Sequence, residues 1–234
     1  MVVFLTLSEK YSCVLWFYTG IFLLFMGAAT ALELCARSSV EVTSQAVAQS
    51  AEKRIALTFD DGPSMYTERL LDGLKERQVQ ASFFLQGQSI QGREKVVERM
   101  QKEGHLIGNH TFHHVKLTSL TEREVQEEIE KTSNEIYKVT GCYTSFVRPP
   151  YGLWRSEIEY HVTMIPVLWN IDSLDWCNTD VGKIVKKVVS LARDGGIILM
   201  HDCYDSSVKS ALQIVDELQK ENYEFVTVDQ LIYE

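Results

Sequence analysis

Two clusters of titratable side chains in this chain have the composition of a hydrolytic metal site. Asp60 and Asp61 are adjacent at the end of an apolar run, directly before a Gly-Pro turn sequence. His110 and His114 lie four residues apart, a spacing at which two imidazoles share one face of a helical turn. If the fold joins the clusters, Asp61, His110 and His114 form a zinc-type ligand set with a position open for water. Asp60 then lies beside the ion as a candidate general base.

Each cluster also has a simpler interpretation when it is taken alone. An Asp-Asp-Gly-Pro sequence is a common kind of turn, and a His-x3-His spacing occurs in exposed polar loops. Considered together, the two clusters favour the metal site over both of these interpretations. His113 lies between the two candidate ligands and is expected to point away from the ion, toward an outer contact or solvent.

Further residues could take part in acid–base chemistry. Arg148 could form an ion pair with Asp60. His201 ends an apolar run, and Asp175 is available as a partner that would hold it protonated as a general acid. In isolation, Arg148 would be read as a surface ion pair and His201 as a structural histidine bonded to the backbone. Trp176 directly follows Asp175, which favours a position in a pocket wall.

The elements that must position these side chains alternate between short apolar runs and longer amphipathic runs. The strand predictions are 55–59, 81–85, 105–108, 145–148, 165–169, 197–200 and 224–228. The helix predictions are 67–78, 93–102, 122–139, 181–193 and 208–221. Thr121 and Glu124 predict a capping box at the start of the third helix, and Gly141 stands at its C-terminal cap. This alternation predicts an α/β fold with a mainly parallel sheet or barrel.

Titratable residues collect at the ends of successive predicted strands. In chain order they are Asp60 and Asp61, His110, Arg148, Asp172 and Asp175, and His201. In a parallel barrel the carboxyl ends of the strands share one face, where active sites are built. The sequence therefore predicts one site assembled from segments that are far apart along the chain.

The N-terminal segment predicts export of the domain that follows it. Residues 11–32 contain no charged side chain and are long enough to span a bilayer as a helix. A small-x-small sequence at 29–31 also fits a processing site, so a retained signal anchor and a cleaved signal peptide both stay open. Residues 33–52 predict a tether, and 53–234 predict the catalytic domain. Either alternative places that domain outside the cytoplasm, anchored at the cell surface or secreted.

The net charge excludes one class of partner, and the cysteine count limits the possible disulfides. The formal net charge is -9, and an acidic domain gains nothing from counterion release on phosphates, so nucleic acid is not expected as a partner. The chain has 5 cysteines, and an odd number leaves at least one thiol unpaired. Cys177 and Cys203 could form a disulfide or remain buried thiols. No feature of the sequence predicts an oligomeric state.

Five motifs, in this order along the chain, resemble those of the polysaccharide deacetylase family, the NodB-homology domain of carbohydrate esterase family 4. They are TFDDGP at 58–63, HTFHH at 110–114, RPPYG at 148–152, DSLDW at 172–176 and LMHD at 199–202. The resemblance runs from about residue 53 to the C-terminus. It implies a distorted (β/α) barrel of about seven parallel strands, here preceded by the N-terminal hydrophobic helix. It also implies metal-dependent removal of acetyl groups from glycans.

The resemblance implies a role for each matching residue. The roles are Asp60 as base, Arg148 as its orienting partner, Asp61, His110 and His114 as metal ligands, His201 as general acid tuned by Asp175, and the Tyr151 backbone N–H as an oxyanion donor. Trp176, Leu199 and Tyr151 are expected to contact the substrate. The ion is expected to be Zn²⁺, with Co²⁺, Ni²⁺ or Mn²⁺ as alternatives.

The predicted reaction is hydrolysis of an acetamido group on a polysaccharide that contains N-acetylglucosamine. Peptidoglycan is the first candidate, followed by chitin or its oligosaccharides, poly-N-acetylglucosamine and acetylxylan, since all present an acetyl group on a sugar. Two other classes stay open. A two-histidine, one-carboxylate triad also serves Fe(II) oxygenases, which usually build it on antiparallel barrels. A non-catalytic, membrane-tethered module would bind glycan without releasing acetate.

Overall fold

A computed structural model of the chain describes residues 53–154 and 164–233. The predicted hydrophobic segment at 11–32 and the tether at 33–52 lie outside the described residues, so both stay predictions. Within the described part, none of the helices combines the length and the apolar character that a bilayer crossing requires.

The described residues form one sheet of eight strands. The strands are β1 (Lys53–Asp60), β2 (Ser82–Leu85), β3 (Leu106–Asn109), β4 (Phe146–Val147), β5 (Ile165–Pro166), β6 (Ile171–Asp172), β7 (Gly196–His201) and β8 (Tyr223–Val226). The pairing order is β5-β4-β3-β2-β1-β7-β6, and β8 pairs with the first half of β1. All of these pairs are parallel, as the strand–helix alternation predicted.

Helices follow most of the strands along the chain. They are α1 (Thr67–Glu76), α2 (Gly87–Ile90), α3 (Glu94–Lys102), α4 (Glu122–Thr140), α5 (Val181–Leu191), α6 (Asp205–Lys220) and α7 (Val228–Tyr233). Two short 3₁₀ turns span Leu117–Ser119 and Pro150–Gly152. The predicted capping box of α4 is confirmed: Thr121 and Glu124 bond each other's backbone N–H groups, and Gly141 ends the helix at φ 70°.

The sheet curls into an incomplete barrel. β5 lies at one edge of the sheet and β6 at the other. The Val167 N–H still donates to the Val147 carbonyl at 2.8 Å, whereas the Asn170 N–H already donates to the Ile197 carbonyl at 3.1 Å. Three residues span at most about 11 Å, so the two edges lie close together. The sheet therefore has the curvature of the predicted distorted barrel, with seven strands in the path and β8 as an addition.

The predicted strand at 165–169 is wrong in its second half. β5 ends at Pro166, and β6 begins only at Ile171 on the opposite edge of the sheet. Between them, the Asn170 side chain takes the place of a backbone carbonyl in the strand pairing: its Oδ1 accepts the Ile197 N–H at 2.8 Å. Helices α2 and α7 were also not predicted, since runs this short show no clear periodicity.

Strand β1 shows how the fold carries a polar side chain to the site. All of its residues from Ile55 onward are buried, which is typical of a parallel strand covered on both faces. Ile55, Leu57 and Phe59 belong to the large apolar cluster that includes the helices, while Ala56 belongs to a second cluster with Phe84. Because side chains alternate, Thr58 and Asp60 share the Ala56 face, inside the barrel.

Candidate active site

The side chains of Asp61, His110 and His114 converge at the carboxyl end of the sheet. Their ligand atoms all lie within 4.8 Å of one another. Asp61 Oδ1 is 3.5 Å from His110 Nε2 and 3.4 Å from His114 Nε2. The structure therefore brings together the three side chains that the sequence proposed as metal ligands.

The backbone that carries the two histidines is not the helical turn that their spacing suggested. Residues 110–114 form an irregular loop after β3, with positive φ angles of 63° at Thr111 and 54° at His114. The imidazole rings of His110 and His114 nevertheless lie 4.9 Å apart. A positive φ is unusual for a β-branched residue, and Asn109 Oδ1 stabilises it by accepting the Thr111 N–H at 2.8 Å.

One carboxylate of α4 anchors this loop. Glu128 Oε2 accepts the backbone N–H groups of Phe112 at 3.1 Å and His113 at 2.8 Å. Glu128 Oε1 lies 2.7 Å from His113 Nδ1, so the His113 ring is held by α4. His113 therefore bonds α4 and leaves about half of its side chain exposed, which agrees with the predicted position away from the ion.

Hydrogen bonding and burial favour histidine forms that can bind a cation. His110 Nδ1 donates to the Arg148 carbonyl at 2.7 Å, which in the neutral ring leaves the lone pair on Nε2, facing Asp61. Burial and the neighbouring His110 lower the pKa of His114, which favours its neutral form. A metal ion requires this deprotonated form of the imidazole.

Asp61 is held as a carboxylate anion. Burial alone would raise the pKa of Asp61, but when the imidazoles are protonated, the hydrogen bond and charge of His110 and the charge of His114 outweigh burial and hold this pKa well below its usual range, and the Gln86 amide lowers it further. Gln86 Nε2 donates to Asp61 Oδ1 at 2.6 Å. One anionic carboxylate and two imidazoles form a donor set that fits Zn²⁺ and similar divalent ions.

Asp60 is buried beside this cluster and paired with Arg148. Arg148 Nη1 lies 2.8 Å from Asp60 Oδ1, and the other carboxylate oxygen is 3.8 Å from His110 Nε2. Arg148 is fully buried, and it also donates to Thr58 Oγ1 at 2.6 Å and packs over the Phe84 ring. The surface ion pair that was the alternative for Arg148 is therefore wrong.

His201 and Asp175 form a second hydrogen-bonded pair on the same face. His201 Nδ1 donates to Asp175 Oδ1 at 2.8 Å, and the His201 backbone N–H donates to Oδ2 at 2.8 Å. Burial alone would lower the pKa of His201, but the hydrogen bond and charge of Asp175, with the charges of Asp60 and Asp61, raise it to about 9. The ring is therefore protonated at neutral pH and can donate a proton.

The turn after β1 is packed against the end of β7, which links the two halves of the site. Ser64 Oγ donates to the Asp202 carbonyl at 2.6 Å, and Thr67 Oγ1 donates to the Asp202 carboxylate. Burial raises the pKa of Asp202 to about 6. A Cβ at Gly62 would lie 2.5 Å from that carboxylate, so a larger residue there would displace Asp202.

A cavity of about 400 Å³ connects these groups. Its lining residues are Asp60, Asp61, His110, His114, Tyr151, Trp169, Asp172, Trp176, Leu199 and His201. The predicted substrate contacts Tyr151 and Trp176 are 63% and 56% exposed, and Tyr151 packs its ring 4.9 Å from that of His114. Arg148 and Asp175 are buried and do not line the cavity; each bonds a residue that does, Asp60 and His201 respectively.

Sequence reasoning assigned no site role to Trp169, Asp172 or Gln86. A tryptophan such as Trp169 is more often a core residue, and its position in the cavity depends on the crossing between β5 and β6. Asp172 was recognised at a strand end but without a role. Gln86 directly follows β2 and could have been found by the same strand-end rule, although an amide gives a weaker signal than a titratable group.

Of the two alternatives left open for Cys177 and Cys203, the disulfide is not formed, because both residues are free thiols. Cys177 Sγ bonds the Leu174 carbonyl within its own loop at 3.5 Å, and Cys203 Sγ faces Asp202 Oδ1 at 3.7 Å. The buried-thiol alternative also fails for Cys177, which is exposed.

A family model, curated proteins and solved structures all match this chain to deacetylases. The family model for polysaccharide deacetylase matches residues 48–165. The chain is 38% identical over 195 residues to the peptidoglycan-N-acetylglucosamine deacetylase PgdA of Listeria monocytogenes, which covers 83% of this chain and 42% of that protein. It is 40% identical over 181 residues to the peptidoglycan-N-acetylmuramic acid deacetylase PdaC of Bacillus subtilis, with 77% and 39% covered.

The solved structure of T48 deacetylase with substrate superimposes with a TM-score of 0.76 at 42% identity, covering 78% of this chain and 92% of that one. The chain spans about two fifths of the length of the two curated relatives. Its sequence, its fold and the residues that converge at the carboxyl end of its sheet agree with one another, and the chain belongs to the polysaccharide deacetylase family.

Proposed function

We propose that this chain is a metal-dependent hydrolase that removes N-acetyl groups from a polysaccharide containing N-acetylglucosamine, with peptidoglycan as the first substrate. The observation that carries the proposal is the cavity in which Asp60, the three candidate ligands and His201 meet. Membership of the family supports deacetylation as the reaction. The fold does not favour the oxygenase alternative, because the described sheet is parallel throughout.

Asp61, His110 and His114 would hold the ion, with Zn²⁺ as the first choice and Co²⁺, Ni²⁺ or Mn²⁺ as alternatives. When bound, such an ion polarises the acetyl carbonyl and lowers the pKa of water. The chain's own contribution is to present one anionic carboxylate and two correctly oriented imidazoles in a site that is open to the cavity.

Asp60 would act as the general base. One of its oxygens is locked by the buried Arg148 guanidinium, which leaves the other directed toward the candidate ligands. A carboxylate held in one orientation next to the attacking water can take its proton as the new C–O bond forms.

His201 would act as the general acid. An amide nitrogen leaves poorly unless it is protonated, and His201 keeps a proton at neutral pH because Asp175 accepts from its Nδ1. The backbone N–H of Tyr151 would stabilise the oxyanion, and the positive φ of 61° at this residue orients its peptide group.

The cavity walls support N-acetylglucosamine over an N-acetylated sugar that carries a carboxylate, such as N-acetylmuramic acid. Trp176, Tyr151 and Leu199 offer apolar surface to a sugar ring. Asp172 adds a carboxylate to the wall, and this charge would repel a carboxylate on the substrate.

We also propose that the domain works outside the cytoplasm, at the cell surface or secreted, where such polymers are exposed. Protease added to intact cells should then cleave it.

Acetate release from peptidoglycan, chitin oligosaccharides, poly-N-acetylglucosamine and acetylxylan, each with and without a chelator, tests the function. We expect release from peptidoglycan, loss of activity with chelator, and recovery when Zn²⁺ is added. Release that a chelator does not affect would contradict metal dependence. Tight glycan binding without acetate would instead support the non-catalytic module.

A further inference from the structure

Gln86 contacts the same carboxylate oxygen that faces both histidines. Its Nε2 donates to Asp61 Oδ1 at 2.6 Å, and that oxygen lies 3.5 Å from His110 Nε2 and 3.4 Å from His114 Nε2. A carboxylate oxygen can accept more than one bond, so the amide can occupy one lone pair while the other is directed at the imidazoles. We propose that Gln86 is a positioning residue that holds Asp61 in the orientation required for metal binding.

Hydrogen bonds at the NH₂ group and at the oxygen of the Gln86 amide define its orientation. A carboxylate anion only accepts, so the amide NH₂ must face Asp61. The amide oxygen at the other end accepts from Gln88 Nε2 at 3.0 Å. The Gln86 backbone N–H donates to the Gly62 carbonyl at 3.0 Å, which joins the end of β2 to the turn that carries Asp61.

Asp61 has a neutral hydrogen-bond partner, whereas the partner of the adjacent Asp60 is charged. Asp60 is paired with the Arg148 guanidinium, whose positive charge would compete with a cation for the carboxylate. Gln86 orients Asp61 without adding charge, so the carboxylate keeps its full attraction for a divalent ion. Asp61 needs such a restraint because it lies on a turn at φ 72° with a side chain that is 27% exposed.

Zinc affinity of the full chain tests this inference, which rests on the proposed metal site. Gln86→Leu removes the donor at similar size, and Gln86→Asn keeps the amide but shortens its reach. Both should raise the Kd for Zn²⁺, measured by competition with a chromophoric chelator, by about 10–100-fold, as is usual for outer partners of metal ligands. The visible absorption bands of the Co²⁺-loaded protein should also shift, because the ligand is no longer held in one orientation.

Gln101→Leu is the matched control. Gln101 is exposed on α3, and its amide donates to the Thr140 carbonyl at 3.0 Å, so its loss should leave Zn²⁺ affinity unchanged. If folded Gln86→Leu or Gln86→Asn binds Zn²⁺ as tightly as Gln101→Leu, the positioning role is wrong while the metal site stands. If the wild-type chain binds no Zn²⁺, Co²⁺, Ni²⁺ or Mn²⁺, both this inference and the proposed metal dependence are wrong.

Discussion

Asp60 and Asp61 are adjacent in the chain but are stabilised by different partners. Asp60 is buried against Arg148, whereas Asp61 is surrounded by two imidazoles and the neutral Gln86 amide. Asp60 ends a regular strand, while Asp61 adopts a positive φ of 72° that redirects its side chain. Two carboxylates of the same chemical type can therefore serve as base and as ligand because their surroundings differ.

At this residue scale, Asp60→Asn should abolish turnover and spare metal binding. We expect kcat to fall by about 10²–10⁴-fold, because the general base is lost. Zn²⁺ stoichiometry, measured by elemental analysis, should stay at the wild-type value. Acetate release at the wild-type rate would contradict the role of Asp60 as base.

The same change should lower stability, because it leaves the buried Arg148 without a charged partner. A loss of about 3 kcal/mol in the free energy of unfolding is expected for breaking a buried ion pair. Urea unfolding followed by circular dichroism measures this loss and confirms that the variant is folded during the rate assay.

Asp175→Asn should move the alkaline limb of the kcat profile to lower pH. His201, with a pKa raised to about 9, is protonated at neutral pH and loses its proton as the pH rises through that value. Because the Asp175 charge is a major cause of the increase, its removal should shift the limb by about one to three units toward acid. A limb that stays in place in the pH–rate profile would show that His201 is not the titrating acid.

At the scale of elements, helix α4 supports the histidine loop through Glu128. Glu128→Ala would leave the backbone N–H groups of Phe112 and His113 without an acceptor at a partly buried site. We expect the free energy of unfolding to fall by about 1–3 kcal/mol and Zn²⁺ affinity to weaken, because the loop that carries His110 and His114 loses its anchor. Thermal unfolding and chelator competition measure the two effects.

Glu127→Ala on the same helix is the control. Glu127 forms an exposed i,i+4 pair with Arg123, which contributes only a few tenths of a kcal/mol. If Glu127→Ala and Glu128→Ala weakened Zn²⁺ binding equally, the effect would come from the helix as a whole and not from the Glu128 contacts.

Elements were predictable where local chemistry marks their ends. Helix α4 was expected over 122–139 and spans Glu122–Thr140, because a capping box starts it and Gly141 ends it. The separation of β5 and β6 was not predictable, since it depends on the gap in the barrel that the chain must cross. The histidine pair was predicted for the wrong backbone, because Glu128, which stabilises the loop conformation together with the adjacent Asn109, comes close to it only after folding.

At the scale of the whole molecule, the candidate ligands come from loops that follow different strands. Asp61 follows β1, and His110 and His114 follow β3, so a bound ion would cross-link two parts of the barrel. Zn²⁺ at about 100 times its Kd should stabilise the fold by about 2.7 kcal/mol, because it binds the folded state selectively. For a domain of this size the increase in Tm is roughly 5–10 °C.

Differential scanning calorimetry with and without Zn²⁺ measures this increase. His114→Ala is the control, since it removes one of the three candidate ligands and should lose both the metal and the rise in Tm. An equal rise in Tm for His114→Ala and for the wild type would remove His114 from the ligand set.

Patterns along the chain were enough to predict the class of fold, the order of most elements and the residues available for chemistry. These follow from local properties, namely apolar periodicity, helix caps and the position of titratable residues at strand ends. Which of these residues meet depends on how the strands pack together. The sequence offered Arg148 both as a partner of Asp60 and as a surface ion pair, and curvature of the sheet buries it against Asp60 from three strands away. Gln86 contacts Asp61 because β1 and β2 pair directly in a register that the sequence does not show. Both contacts depend on how the strands assemble, a property of the whole sheet.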